Sequence, residues 1–241
     1  MTKINQTPII ITAIIVIGVL VALFSFIPRT SERVIDVTGN SQFTVQPDKA
    51  VVYVQVLTKA ETADAAKNMN AETSSKVLAA LDAIGIAKTD VETENYNIYQ
   101  DCEWTQDGQK CKGFAASNNI KVSSKDFNNV GKIVDAAVDN GGLISYINFE
   151  LSTEKSNEYK AQALKLASED AKTKADAVAS GQGKKAGKLV SISASDYGYA
   201  PYPLYARAEG GIASDVKQAV TSIQPKSLDI SASVTARYEI S

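Results

Sequence analysis

The last stretch of the chain, SLDISASVTARYEI, places Leu228, Ile230, Ala232, Val234, Ala236, Tyr238 and Ile240 at every second position without a break. That period belongs to a β-strand with one buried face. The fold must therefore supply a sheet and a layer that covers one side of it.

The longest helical pattern offers such a layer. From Ser156 to Ser180, Ala163, Ala167, Ala171, Ala175 and Ala179 recur every fourth residue beside Leu164, Leu166 and Val178, and Gly181 with Gly183 ends the run. Small side chains at that spacing let a helix lie close against its neighbour. A strand near Leu189–Ala194 follows this helix.

Upstream, Val34–Val45 reads as two short apolar alternations around a Gly39-Asn40 turn. In AVVYVQVLT, Ala50, Val52, Val54 and Val56 form one face while Val51 and Tyr53 thicken the other, the pattern of a strand central in its sheet. Thr62 is placed to cap a helix whose stripe is Ala66, Met69, Thr73, Val77, Leu81 and Ile84, closed by Gly85 and Ile86 in a Schellman end. Two hairpin arms, Asp90–Gln100 and Lys112–Ser123, precede a second helix from about Asp126 that carries Phe127, Val130, Val134, Ala137 and Val138 and stops at Gly141-Gly142. LISYINFEL is the next strand. This order predicts an α+β fold: a split βαβ (βαββαβ, ferredoxin-like) sheet, then the Ala-rich helix and two further strands.

Ahead of all this, Ile9–Ile27 runs nineteen residues without a charge between Pro8 and Pro28. At about 1.5 Å per residue it matches the hydrocarbon core of a bilayer and is expected to be one N-terminal transmembrane helix. A cleaved signal peptide or a buried core helix are the rival readings; the long apolar region and the lack of a small-x-small site favour an uncleaved signal anchor. The expected organisation is a short cytoplasmic N-terminus (1–8), the anchor (9–27), a linker (28–33) and an extracytoplasmic domain (34–241).

The chain has no histidine, which removes Ser-His-Asp triads, Cys-His pairs and His-based zinc sites. A net charge of −2 with the two signs interspersed gives no basic face for nucleic acid, which is dropped as a partner. The two cysteines, Cys102 and Cys111, bracket EWTQDGQK with its Asp107-Gly108 hairpin signal. With a four-residue loop Thr105–Gly108 and Gly108 left-handed, Cys102 faces Cys111 and Glu103 faces Lys110; with a two-residue loop, Cys102 faces Gly113. The first register permits a disulfide, which persists in an oxidising compartment and puts this domain outside the cytoplasm. Two free thiols and a redox-active pair are the alternatives.

DYGYAPYPLYARAEGG gathers Tyr197, Tyr199, Tyr202 and Tyr205 around Pro201 and Pro203. It is a candidate interaction loop, set against a connection that packs on its own domain or on a sister subunit. Asp101, Glu103 and Asp107 match no EF-hand spacing and are crowded by Lys110 and Lys112, so no metal site is assigned. Lys184-Lys185 in GQGKKAG lacks the Walker spacing and follows a helix instead of preceding one. No catalytic residue and no cofactor are expected.

VTGNSQFTVQPDKAVVYVQV, LDAIGIAKTDVET, GFAASNNIKVSSKD, the Ala163–Ala179 ladder and QPKSLDISASVTARY together resemble the successive blocks of the SIMPL-domain family, over residues 34–241 and in order. That family includes bacterial periplasmic immunogenic proteins and YggE-like oxidative-stress defence proteins. The resemblance implies an extracytoplasmic α+β domain, assembled in some members into large rings or barrels, without established catalytic residues. Two features depart from it: Ser227 stands where the family often has glycine, and Cys102 with Cys111 is not a general family feature.

The expected function is a membrane-tethered, non-enzymatic envelope protein that forms a homo-oligomer and scaffolds, binds or protects. A thiol-redox or carboxylate enzyme using Cys102 and Cys111 is the runner-up, and a binding module using the Tyr197–Tyr205 loop the third reading.

Overall fold

The computed structural model of the protein describes residues 33–106, 108–199, 202–205 and 225–241. Eight strands are β1 (Val34–Val45), β2 (Lys49–Ala60), β3 (Val91–Thr105), β4 (Gly108–Ser124), β5 (Leu143–Glu150), β6 (Ala186–Tyr199), β7 (Tyr202–Tyr205) and β8 (Leu228–Ile240). Among the described residues three α-helices, α1 (Ala63–Ala83), α2 (Asn129–Asp139) and α3 (Thr153–Gly181), join them. The strands form two sheets, one ordered β3-β4-β2-β5-β7 and one ordered β1-β8-β6. Every pairing is antiparallel.

This corrects the expectation of a single split sheet with appended strands and a transmembrane helix. No helix of the described residues is long and apolar enough to cross a membrane. The expected span, Ile9–Ile27, lies outside the described residues. A separate sheet forms because β1 and β8 pair along their whole length, from Val34 opposite Glu239 to Val45 opposite Leu228. Their apolar positions fall on one face, Val37 with Ala236 and Phe43 with Ile230. The alanine row of α3 covers that face.

All five alanines of the row, Ala163 to Ala179, are fully buried. Their smallness lets the helix backbone descend onto β1, and Gly39 meets it. A β-carbon on Gly39 would lie 2.0 Å from the carbonyl oxygen of Ala167. The expected Gly39-Asn40 turn is thus replaced by a continuous strand, in which glycine serves close approach instead of a reversal. Lys174 Nζ donates to the Thr38 carbonyl at 3.1 Å and Asn40 N–H donates to Asp170 Oδ2 at 2.8 Å. These bonds satisfy backbone groups on the outer edge of β1.

The larger sheet has its own core on the helix side. Val52, Val54 and Val56 of β2, Ile120 and Val122 of β4, and Ile147 and Phe149 of β5 pack beneath Val77 and Leu81 of α1 and Val130, Ile133 and Val134 of α2. Each such side chain contributes about 1.5–3 kcal/mol by leaving water. β2 lies between β4 and β5, which is why its two faces are both apolar. α1 begins where Thr62 Oγ1 accepts from Ala65 N–H at 3.2 Å. It ends as Gly85 turns left-handed (φ 87°) and Ile86 N–H reaches the Leu81 carbonyl at 3.1 Å.

A polar clamp joins the two sheets. Asp48, between β1 and β2, accepts from Ser152 N–H and from Ser152 Oγ, both at 2.6 Å. Ser152 in turn caps α3 by accepting from Lys155 N–H at 3.3 Å.

Candidate functional site

The β3–β4 hairpin outgrows the sheet that carries it. β2 pairs with β4 only as far as Ala60 opposite Phe114, while β3 and β4 continue pairing to Thr105 opposite Gly108. Residues beyond Phe114 therefore form a two-stranded arm with no third strand beside it.

The base of the arm is set by two local devices. The register slips between Gln100 and Cys102, where Asp101 alone stands opposite two β4 residues, Lys112 and Gly113, and its carboxylate meets Lys59 at 2.8 Å. The Asp101 hydrogen bond raises the Lys59 pKa above its usual value. On the opposite strand Gly113 adopts φ 133°, and a β-carbon there would lie 2.4 Å from the Ala60 carbonyl. Only glycine fits that approach.

Within the arm, Cys102 and Cys111 face one another and form a disulfide. Glu103 lies opposite Lys110 in the register, but its carboxylate pairs with Lys112, two residues along the same strand. Thr105 Oγ1 donates to the Gly108 carbonyl at 2.8 Å, and Gly108 is left-handed with φ 106°. Trp104, the chain's one tryptophan, is 80% exposed. With Asp101 and Glu103 engaged by lysines, neither is left to build a cation site, and Asp107 lies outside the described residues.

The four tyrosines of the candidate loop sit on two strands, one in each sheet. Tyr197 and Tyr199 end β6, opposite Ala232 and Ile230. The Tyr199 hydroxyl accepts from Leu151 N–H at 2.9 Å, and burial raises its pKa. Tyr197 donates to the Ser156 carbonyl at 3.3 Å beneath the Lys160 ammonium. Tyr202 and Tyr205 bound β7, opposite Phe149 and Tyr146 of β5. The segment is a crossover between sheets, with Tyr197 and Tyr199 fastened to the start of α3.

Two features had no signal in apolar periodicity. The first is a buried polar chain between α1 and the sheet. Asn70 donates to the carbonyls of Val56 and Ala116 at 2.8 and 2.9 Å, Ser74 donates to Asn70 Oδ1, and Asn118 donates to Ser74 Oγ. Asn70 and Ser74 take the inward places that a stripe through Met69 and Thr73 would assign elsewhere, and Met69 is about half exposed (49%). The second is exposed apolar edge. Among the described residues β6 and β3 are outermost strands, and they expose Leu189, Val190 and Ile192 on one and Tyr96, Ile98 and Tyr99 on the other.

Among the described residues no three His, Cys, Asp or Glu side chains gather to hold a metal ion. The Tyr53 hydroxyl, stacked on Tyr146 with ring centroids 4.1 Å apart, has its pKa driven upward chiefly by burial. This keeps it a neutral, protonated hydroxyl at neutral pH.

The profile of the SIMPL family, described as a protein of unknown function (DUF541), matches residues 35–238. The chain belongs to the SIMPL family. The match begins one residue inside β1 and ends near the close of β8, so both sheets belong to the SIMPL unit. Among SIMPL relatives, the chain is 33% identical over 179 residues to the 26 kDa periplasmic immunogenic protein of Brucella melitensis, covering 70% of each chain. It is 32% identical to the protein of that name in Brucella abortus, again over 70% of each. With the uncharacterized protein YggE of Escherichia coli K12 it shares 26% identity over 168 residues, 69% of this chain and 68% of the other.

Proposed function

We propose that this chain is a non-enzymatic protein of the extracytoplasmic space whose SIMPL domain self-associates and acts as a scaffold or binding surface in the cell envelope. The observation that carries the reading is the edge of the smaller sheet. β6 leaves a row of backbone donors and acceptors unpaired among the described residues, and it surrounds that row with Leu189, Val190 and Ile192, each about half exposed. A long apolar edge is a template for pairing with another chain.

The compartment follows from chemistry and from kinship. A disulfide between the only two cysteines persists where thiols are oxidised, and the Brucella relatives are periplasmic by name. The reading needs no membrane anchor. Its test is Ile192→Lys, which puts a charge on the edge at a half-exposed position. Sedimentation velocity of the variant is expected to give the 25.7 kDa of one chain while the unaltered protein sediments faster. Equal sedimentation of the two, with circular dichroism unchanged, overturns the role of β6.

A further inference from the structure

We infer that the Cys102–Cys111 bond is a redox-operated clasp that decides whether the β3–β4 arm is ordered, independently of any association through β6. The arm, residues 101–106 and 108–112, has no third strand and contributes nothing to either hydrophobic core. A two-stranded ribbon of this kind is marginal in water. The register slip at Asp101 and the left-handed Gly113 interrupt its continuity with the sheet below. Besides the disulfide, the contacts that hold the arm include its own ladder, the Thr105 hydroxyl, the Glu103–Lys112 pair and the Lys59–Asp101 pair at its base. Exposed ion pairs of that sort hold little.

The bond is also open to chemistry. Cys111 is solvent-exposed, Cys102 is half-buried, and Lys110 and Lys112 flank Cys111 in sequence. Exposure makes Cys111 the sulfur that an external thiolate can reach. A thiolate of an external dithiol attacks Cys111 Sγ, breaking the protein disulfide and releasing Cys102 as a thiolate that takes a proton from water. The second thiol of the donor, once deprotonated, attacks the donor sulfur of the mixed disulfide and expels Cys111. Two electrons pass to the protein, which ends with two thiols while the donor ends as a disulfide. The oxidised arm holds Trp104 in one place at the surface; the reduced arm releases it.

Amide hydrogen exchange on the full chain tests this, with dithiothreitol as the donor and removal of the donor in air as the return step. Reduction is expected to speed exchange within residues 102–111 at least tenfold. Exchange in β2 and in residues 114–122 of β4 stays unchanged, and reoxidation restores the arm. Cys102→Ser/Cys111→Ser is expected to show the fast arm without reductant and no response to it. Three results overturn the clasp: a bond that millimolar dithiothreitol does not open in the native protein, an arm that stays protected once reduced, or loss of protection spread over the whole larger sheet. The wild-type cycle of reduction and reoxidation decides between these outcomes by itself, whether or not the double variant folds.

Discussion

Gly39 of β1 lies against the backbone of Ala171 in α3, so near that a β-carbon at position 39 would sit 2.4 Å from the Ala171 nitrogen. The smaller sheet is built on this contact, with the alanine row of α3 lying on β1 and β8 at backbone distance. Gly39→Ala forces the helix and strand apart, an overpacking expected to cost about 3 kcal/mol. Urea unfolding measures it, and a loss below about 0.5 kcal/mol, the range of a neutral surface change, contradicts the packing.

The buried amide of Asn70 is expected to matter as much as a large apolar side chain. Asn70→Ala leaves the carbonyls of Val56 and Ala116 without the donor that reaches them from α1. Orphaning buried acceptors and leaving a small cavity costs about 2–4 kcal/mol. The urea midpoint reads this loss, and replacement by leucine, which fills the space without a donor, is expected to recover only part of it.

Much of this architecture is legible in the sequence, and the omissions have physical causes. The unbroken alternation of Leu228–Ile240 and the alanine row from Ala163 read directly as a strand and a close-packed helix, because burial there is carried by small or apolar residues at one period. Gly39 misleads, since glycine in sequence signals a turn as readily as a close approach. Which strands share a sheet is a non-local choice. Nothing in Val34–Val45 announces that its partner lies almost two hundred residues away at β8. Asn70 and Ser74 break the apolar stripe of α1 and so are invisible to it. For the arm, the facing of Cys102 and Cys111 is legible from the Gly108 signal, whereas the extra residue of β4 at Lys112-Gly113 and the contact of the Asp101 carboxylate with Lys59 on β2 are not.

Acid sensitivity is expected to come from carboxylates on the smaller sheet and its helix. The Lys174 ammonium and then the Asn40 N–H hold the Asp170 pKa below its ordinary 3.8, and the hydrogen bond from Arg237 does the same for Asp36. A group with a depressed folded pKa adds stability above its unfolded value and loses it as pH falls through the folded one. The urea midpoint is therefore expected to be flat from about pH 7 to about pH 5 and to fall below the ordinary aspartate range. Asp170→Asn should shallow that fall. A carboxyl of Asp170 titrating at or above 3.8 by NMR contradicts the assignment.

At the joint between sheets, Asp48→Ala removes both acceptors of Ser152 and with them the hold on the first turn of α3. A loss of about 1–3 kcal/mol follows from a part-buried, charge-assisted pair of bonds. Exchange of amides at the start of α3 is expected to quicken more than that of α1. Equal quickening of both helices argues against a local clamp.

The mass of the full-length chain, purified without reductant and weighed by native mass spectrometry over a range of concentrations, tests self-association most directly. The expected result is a discrete multiple of 25.7 kDa that is lost in Ile192→Lys. A single 25.7 kDa species at every concentration, from protein whose disulfide and fold are intact, contradicts self-association.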